Sequence, residues 1–175
     1  MQDNWKEKLQ LFLRHRIPLV ASIFFMFIFF VPLNSLELNY FRPAVGMICV
    51  YYWTLKRGYM FSYISSFIIG FLIDIYSSTP LGINILIMML LVFIVDFLAR
   101  YFKYASFYVS WLMFVFVGLL VTFVKWLLFV VYYKQFVSIA EIMLSFASTV
   151  MFYPLIVYFN IWIQNSLLLQ ERINE

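Results

Sequence analysis

One histidine, one cysteine and eight acidic residues are all this chain offers for acid–base, nucleophilic or metal chemistry. Cys49 stands alone in an apolar run, which excludes an intrachain disulfide and a cysteine-based metal site. His15 lies in a basic N-terminal segment, without the partners that a zinc site or a catalytic triad needs. No phosphate-binding loop, G-x-G-x-x-G turn or H-E-x-x-H helix occurs. No nucleophile is paired with a base, so the expected catalytic residues, metals and cofactors are none. The chemistry that remains is that of charges and small polar groups inside apolar runs. Asp74 ends such a run and Lys125 interrupts another. Ser62, Ser66, Gly70 and Asp74 recur every four residues, which puts them on one helical face.

The elements that must position these groups are membrane helices. Of the 175 residues 66% are hydrophobic and 11% charged, with a mean hydropathy of +0.96. A soluble domain carries about 25% charged residues, so a water-soluble fold of this size would lack the polar groups to cover itself. The net charge of +4 forms no patch that suggests nucleic-acid binding, because the basic residues lie between apolar runs. A helix needs about 20 apolar residues to cross the hydrocarbon core. The runs predict six spans, at about 17–36, 43–55, 58–76, 83–99, 104–133 and 139–163. Together they make a single membrane domain, 17–163. Residues 1–16 are expected to form a cytoplasmic amphipathic basic segment, either a short helix on the inner leaflet or a disordered tail that serves only topology, and 164–175 a cytoplasmic tail. The second run, Pro43 to Leu55, is short for a span.

Charge distribution supports keeping it. With the N-terminus inside, Lys6, Lys8, Arg14, Arg16, Lys56, Arg57, Arg100, Lys103 and Arg172 are cytoplasmic, and only Arg42 and Lys134 lie outside. Basic residues favour the cytoplasmic side, so both termini are expected there. Ionisable groups within spans cost roughly 2.5–3.5 kcal/mol at a helix centre and require compensation. Glu141 falls in a first helical turn, where the helix dipole favours an anion. Lys125 either snorkels outward or faces a partner carboxylate. Asp74 ends its helix where the dipole disfavours an anion, so it needs a cation or loop amides. An ion pair with Arg42 at similar depth would answer two anomalies together. The Ser62–Ser66–Gly70 stripe either packs an internal helix or forms a docking face or ligand cleft.

The stretch Phe41-Arg42-Pro43, Tyr51-Tyr52-Trp53, Gly70-Phe71-Leu72-Ile73-Asp74 and Pro80-Leu81-Gly82 resembles the MreD family of bacterial rod shape-determining membrane proteins, in order and in spacing. Ser77 and Ser78 stand where that family often has Gly, and Arg57-Gly58 where it usually has Pro. The resemblance implies a non-enzymatic scaffold subunit of the elongasome in the bacterial inner membrane, a multi-pass protein. The implied partners are the single-span protein MreC, a SEDS-type glycosyltransferase, a class B penicillin-binding protein and membrane lipids. It also implies an all-α fold like the six-helix substrate-binding subunits of energy-coupling-factor vitamin transporters. A small-molecule-binding transporter subunit is therefore the alternative. The residues singled out for structure or interaction are Arg42, Asp74, Ser62, Ser66, Gly70, Pro80, Gly82 and Lys125.

Overall fold

The computed structural model describes residues 18–28, 43–58, 61, 63–134 and 138–173, with side chains through 166. Among these residues there are six helices and no strand. They are α1 (Pro18–Ile28), α2 (Val45–Arg57), α3 (Tyr63–Tyr76), α4 (Ile83–Phe102), α5 (Phe107–Tyr133) and α6 (Ile139–Ile173). Three of them, α4, α5 and the Ile139–Ser166 part of α6, are long and apolar enough to cross a membrane. Only 28% to 33% of their most apolar stretches is buried by the rest of the chain. Phe93, Phe116, Met151 and Tyr158 are among the exposed side chains, as suits surfaces that face lipid.

The short helix α2 is the axis of the bundle. It packs on α4, α6 and α3, and every one of its residues except Lys56 is buried. Near its middle the ring of Tyr51 meets Phe114 of α5 edge-on at 5.1 Å, and Phe114 stacks on Tyr153 of α6 at 4.5 Å. The Tyr51 hydroxyl donates to the Ser110 carbonyl of α5 at 2.8 Å, and the Tyr52 hydroxyl to Gln164 of α6 at 2.7 Å. These bonds satisfy phenols that lipid could not, and they tie α2 to the later helices. At the start of α2 the Ala44 amide donates to Thr149 Oγ1 of α6 at 2.9 Å. At its end the Lys56 ammonium donates to the carbonyls of Lys103 and Ala105, beyond the last turn of α4. A cation there complements the negative end of the helix dipole.

Successive helices α2 to α6 alternate in direction, so the bundle has two ends. One holds the start of α2, the α3–α4 turn and the start of α6; the other holds Lys56, Arg57, Arg100 and Lys103. Helix α6 contains Pro154, which has no N–H to give the Val150 carbonyl one turn back. The indole N–H of Trp111 on α5 reaches that carbonyl at 3.4 Å. A partner helix thus takes up the acceptor that proline leaves free.

Glycine permits a close helix contact. A Cβ on Gly70 of α3 would lie 2.6 Å from the Ile85 Cα and 2.9 Å from the Asn84 carbonyl oxygen of α4. On Gly118 of α5 it would meet side-chain ends, Phe146 Cε2 at 2.8 Å and Met47 Cε at 2.9 Å. Overpacking costs about 1–3 kcal/mol, and more where backbone must move. Gly70→Ala is expected at or above the top of that range and Gly118→Ala near the bottom. Thermal unfolding of the purified protein in detergent reads the order.

Candidate functional site

Helix α3 ends at Tyr76, and the chain reverses through Ser77 to Gly82 into α4. Two left-handed residues make that reversal, Ser78 at φ 51° and Gly82 at φ 110°. Gly82 is the N-cap of α4 and has no side chain with which to cap it. Asp74 performs that task from the preceding helix. Its Oδ2 accepts the Gly82 N–H at 2.8 Å. Its Oδ1 accepts the Asn84 backbone N–H at 3.0 Å, the Asn84 side-chain amide at 2.8 Å and the Thr79 hydroxyl at 2.9 Å. Asn84 Nδ2 also lies 3.0 Å from Thr79 Oγ1, and the Pro80 carbonyl accepts the Ile83 N–H at 3.3 Å. A carboxylate misplaced at the end of its own helix is thereby well placed at the start of the next, where free amides and a positive dipole end favour it. Asp74 is 1% exposed, and a buried anion needs this degree of saturation.

Beside this turn a cleft opens between the helices. One lobe, about 230 Å³, is lined by Asn84, Thr122, Lys125, Glu141, Ser145 and Thr149 together with apolar side chains. The adjoining lobe, about 310 Å³, runs past Pro43, Gly46 and Ile73 toward Met26 of α1, and Asn84, Lys125 and Ser145 line it too. Lys125 is half-buried on α5, eight residues and roughly 12 Å before the helix end at Tyr133. Its ammonium lies 5.6 Å from the centre of the Phe129 ring, a contact of the cation–π kind. It makes no salt bridge to any of the described residues. Glu141, in the first turn of α6, is exposed at the rim. A second cavity of about 350 Å³ lies at the opposite end, between Tyr52, Lys56, Lys103 and Gln164.

The residues singled out by the sequence divide accordingly. Asp74, Pro80 and Gly82 come together in the α3–α4 turn, and Lys125 lines the adjacent cleft. Ser66 is fully buried and donates to the Tyr63 carbonyl at 2.7 Å. Gly70 faces α4 at backbone contact, so this part of the small-residue stripe packs inside the chain and offers no docking face. Arg42 and Ser62 lie outside the described residues, and with them the expected Arg42–Asp74 pair. Loop amides were one of the two compensations open to Asp74. Thr79 and Asn84 were not singled out, although a hydroxyl and an amide flanking Pro80-Leu81-Gly82 were the available signal. Among the described residues no three histidine, cysteine or acidic side chains gather to hold a metal.

The family described as rod shape-determining protein MreD matches residues 8–161. The chain belongs to the MreD family. That match covers every helix described above apart from the last turns of α6, and it makes the chain a rod shape-determining membrane protein. No curated protein and no solved structure matches the chain.

The Asp74 network sets a stability order. Asp74→Asn puts a donor where one of the two oxygens accepts, leaving α4 amides or the Thr79 hydroxyl unpaired at about 1–3 kcal/mol for each group. Thr79→Val removes one hydroxyl and is expected to cost about 1 kcal/mol. Melting temperature in detergent should therefore fall clearly further for Asp74→Asn than for Thr79→Val. Equal effects would mean that the carboxylate is held by something other than these donors.

Proposed function

We propose that this chain is a non-enzymatic scaffold subunit of the bacterial rod-shape complex, holding a single-span MreC-like protein in the inner membrane. Through it the chain would act beside the glycosyltransferase and the penicillin-binding protein that build lateral wall. The observation that carries this reading is the family match over residues 8–161. The largely uncovered apolar faces of α4, α5 and α6 support it, since a scaffold in lipid binds through helix surfaces. The absence of any nucleophile–base pair in the sequence supports a non-enzymatic role. Six helices among the described residues and a polar-lined cleft also suit the alternative, a small-molecule-binding subunit like those of vitamin transporters. Purification in mild detergent separates the two: MreC-like and wall-synthesis proteins are expected to co-purify. Recovery of a transporter ATPase module in their place would overturn the reading.

The same proposal places both termini in the cytoplasm. Lys56, Arg57, Arg100 and Lys103 share one end of the bundle, and Lys134 follows α5 at the other, a bias that supports this orientation. Cys49 is 0% exposed, so it gives a quiet background for thiol labelling. Lys134→Cys is expected to react in whole cells with a membrane-impermeant maleimide, and Lys103→Cys only after permeabilisation. The reverse pattern would invert the topology.

A further inference from the structure

The two cavities treat their cations differently. At the Lys56 end the cation is satisfied within the chain: Lys56 donates to two carbonyls, and beside it Tyr52 donates to Gln164. In the cleft beside the α3–α4 turn, Lys125 makes no salt bridge to a described residue and has the face of Phe129 and, at longer range, the charge of Asp74. The carboxylates near it are Asp74, whose oxygens already accept four hydrogen bonds, and Glu141, exposed at the rim without a salt bridge. The start of α2 lines the same cleft through Ala44, Val45 and Gly46. That helix has no acidic residue in its first turn; Thr149 Oγ1 and the Pro43 carbonyl take up the Ala44 and Val45 amides, but neither is an anion, so the positive dipole end still adds to the lysine. An ammonium set roughly 12 Å below a helix end within a membrane bundle favours an anion in direct contact, which Asp74, turned to its own donors, does not supply.

We infer that the cleft lined by Lys125, Asn84 and Ser145 is a binding site for the anionic group of a small ligand, a phosphate either free in solution or on a lipid. Size limits the occupant. The larger lobe, about 310 Å³, holds roughly ten waters at ~30 Å³ each, enough for a phosphate with a short polar attachment and too little for a whole lipid. The chains of a lipid ligand would leave between helices, past Met26 and Ile73, which line that lobe. This inference stands apart from the scaffold reading, because partner recovery in detergent does not depend on what fills the cleft.

The test uses full-length protein in phosphatidylcholine nanodiscs. Melting temperature is followed against inorganic phosphate and, separately, against the fraction of phosphatidic acid in the disc. Wild type and Lys125→Arg should be stabilised saturably, with Lys125→Gln needing at least tenfold more anion for half the effect. Ser145→Leu, which fills both lobes and leaves the charge in place, should show the same loss. Stabilisation by inorganic phosphate identifies a soluble anion as sufficient. Stabilisation by phosphatidic acid alone identifies a lipid headgroup. No saturable effect of either anion overturns the inference, as does an unchanged midpoint in Lys125→Gln. So does binding that appears only in Glu37→Gln, which removes the one acidic residue of the 29–42 segment; the counter-charge would then belong to the chain itself.

Discussion

Burial of α2 on all sides is the constraint from which the remaining arrangement follows. Helices in lipid gain little from hiding apolar surface and associate through close packing and polar contacts. A thirteen-residue helix carrying Tyr51, Tyr52, Trp53 and Thr54 is poorly suited to lipid and well suited to the centre of a bundle. Longer, more apolar helices surround it and present Phe, Leu and Met to the bilayer. Its two ends are fixed by bonds to residues far along the chain, Thr149 at one end and Lys103 and Ala105 at the other. The depth of α2 is set by these attachments more than by its own length.

The α3–α4 turn solves a second problem, how two helices can meet at backbone distance. Gly70 removes the side chain that would separate them, and Asp74, one turn further on, binds the first amides of α4. The same carboxylate ends one helix and begins the next. The cleft opens next to this hydrogen-bonded corner, so Asn84 belongs both to the Asp74 network and to the cleft wall. A ligand beside Lys125 would rest on the Asp74–Thr79–Asn84 hydrogen-bond network.

Much of this organisation was legible in the sequence, for identifiable reasons. Apolar runs and the positions of Lys and Arg follow from the bilayer, so the sequence pointed to all-α architecture and supported keeping a short second helix. The four-residue spacing of Ser66, Gly70 and Asp74 gave their common face. It could not say what covers that face, because periodicity describes one helix and contact describes two; α4 proved to be the cover. The expected Arg42–Asp74 pair falls outside the described residues; within them Thr79, Asn84 and the Gly82 amide stabilise Asp74 with neutral donors, which charge counting does not reveal. Helix α6 runs to Ile173, past the apolar run that ended at Ile163, because a helix can continue beyond the bilayer where hydropathy carries no signal.

The attachments of α2 also bear on how the protein is made. Tyr52 and its partner Gln164 are 112 residues apart. At a synthesis rate of about 5–20 residues per second, roughly 6–20 s pass after the ribosome has added Tyr52 before Gln164 exists. Throughout that interval the second helix has no complete shelter for its phenols, its indole and its lysine. A segment in that position needs a holding environment, such as an insertion channel that keeps polar spans from lipid or release delayed until several helices can leave together. Degradation of α5 or α6 mutants is then an expected consequence of stranding the second helix, even when the altered residue lies far from it.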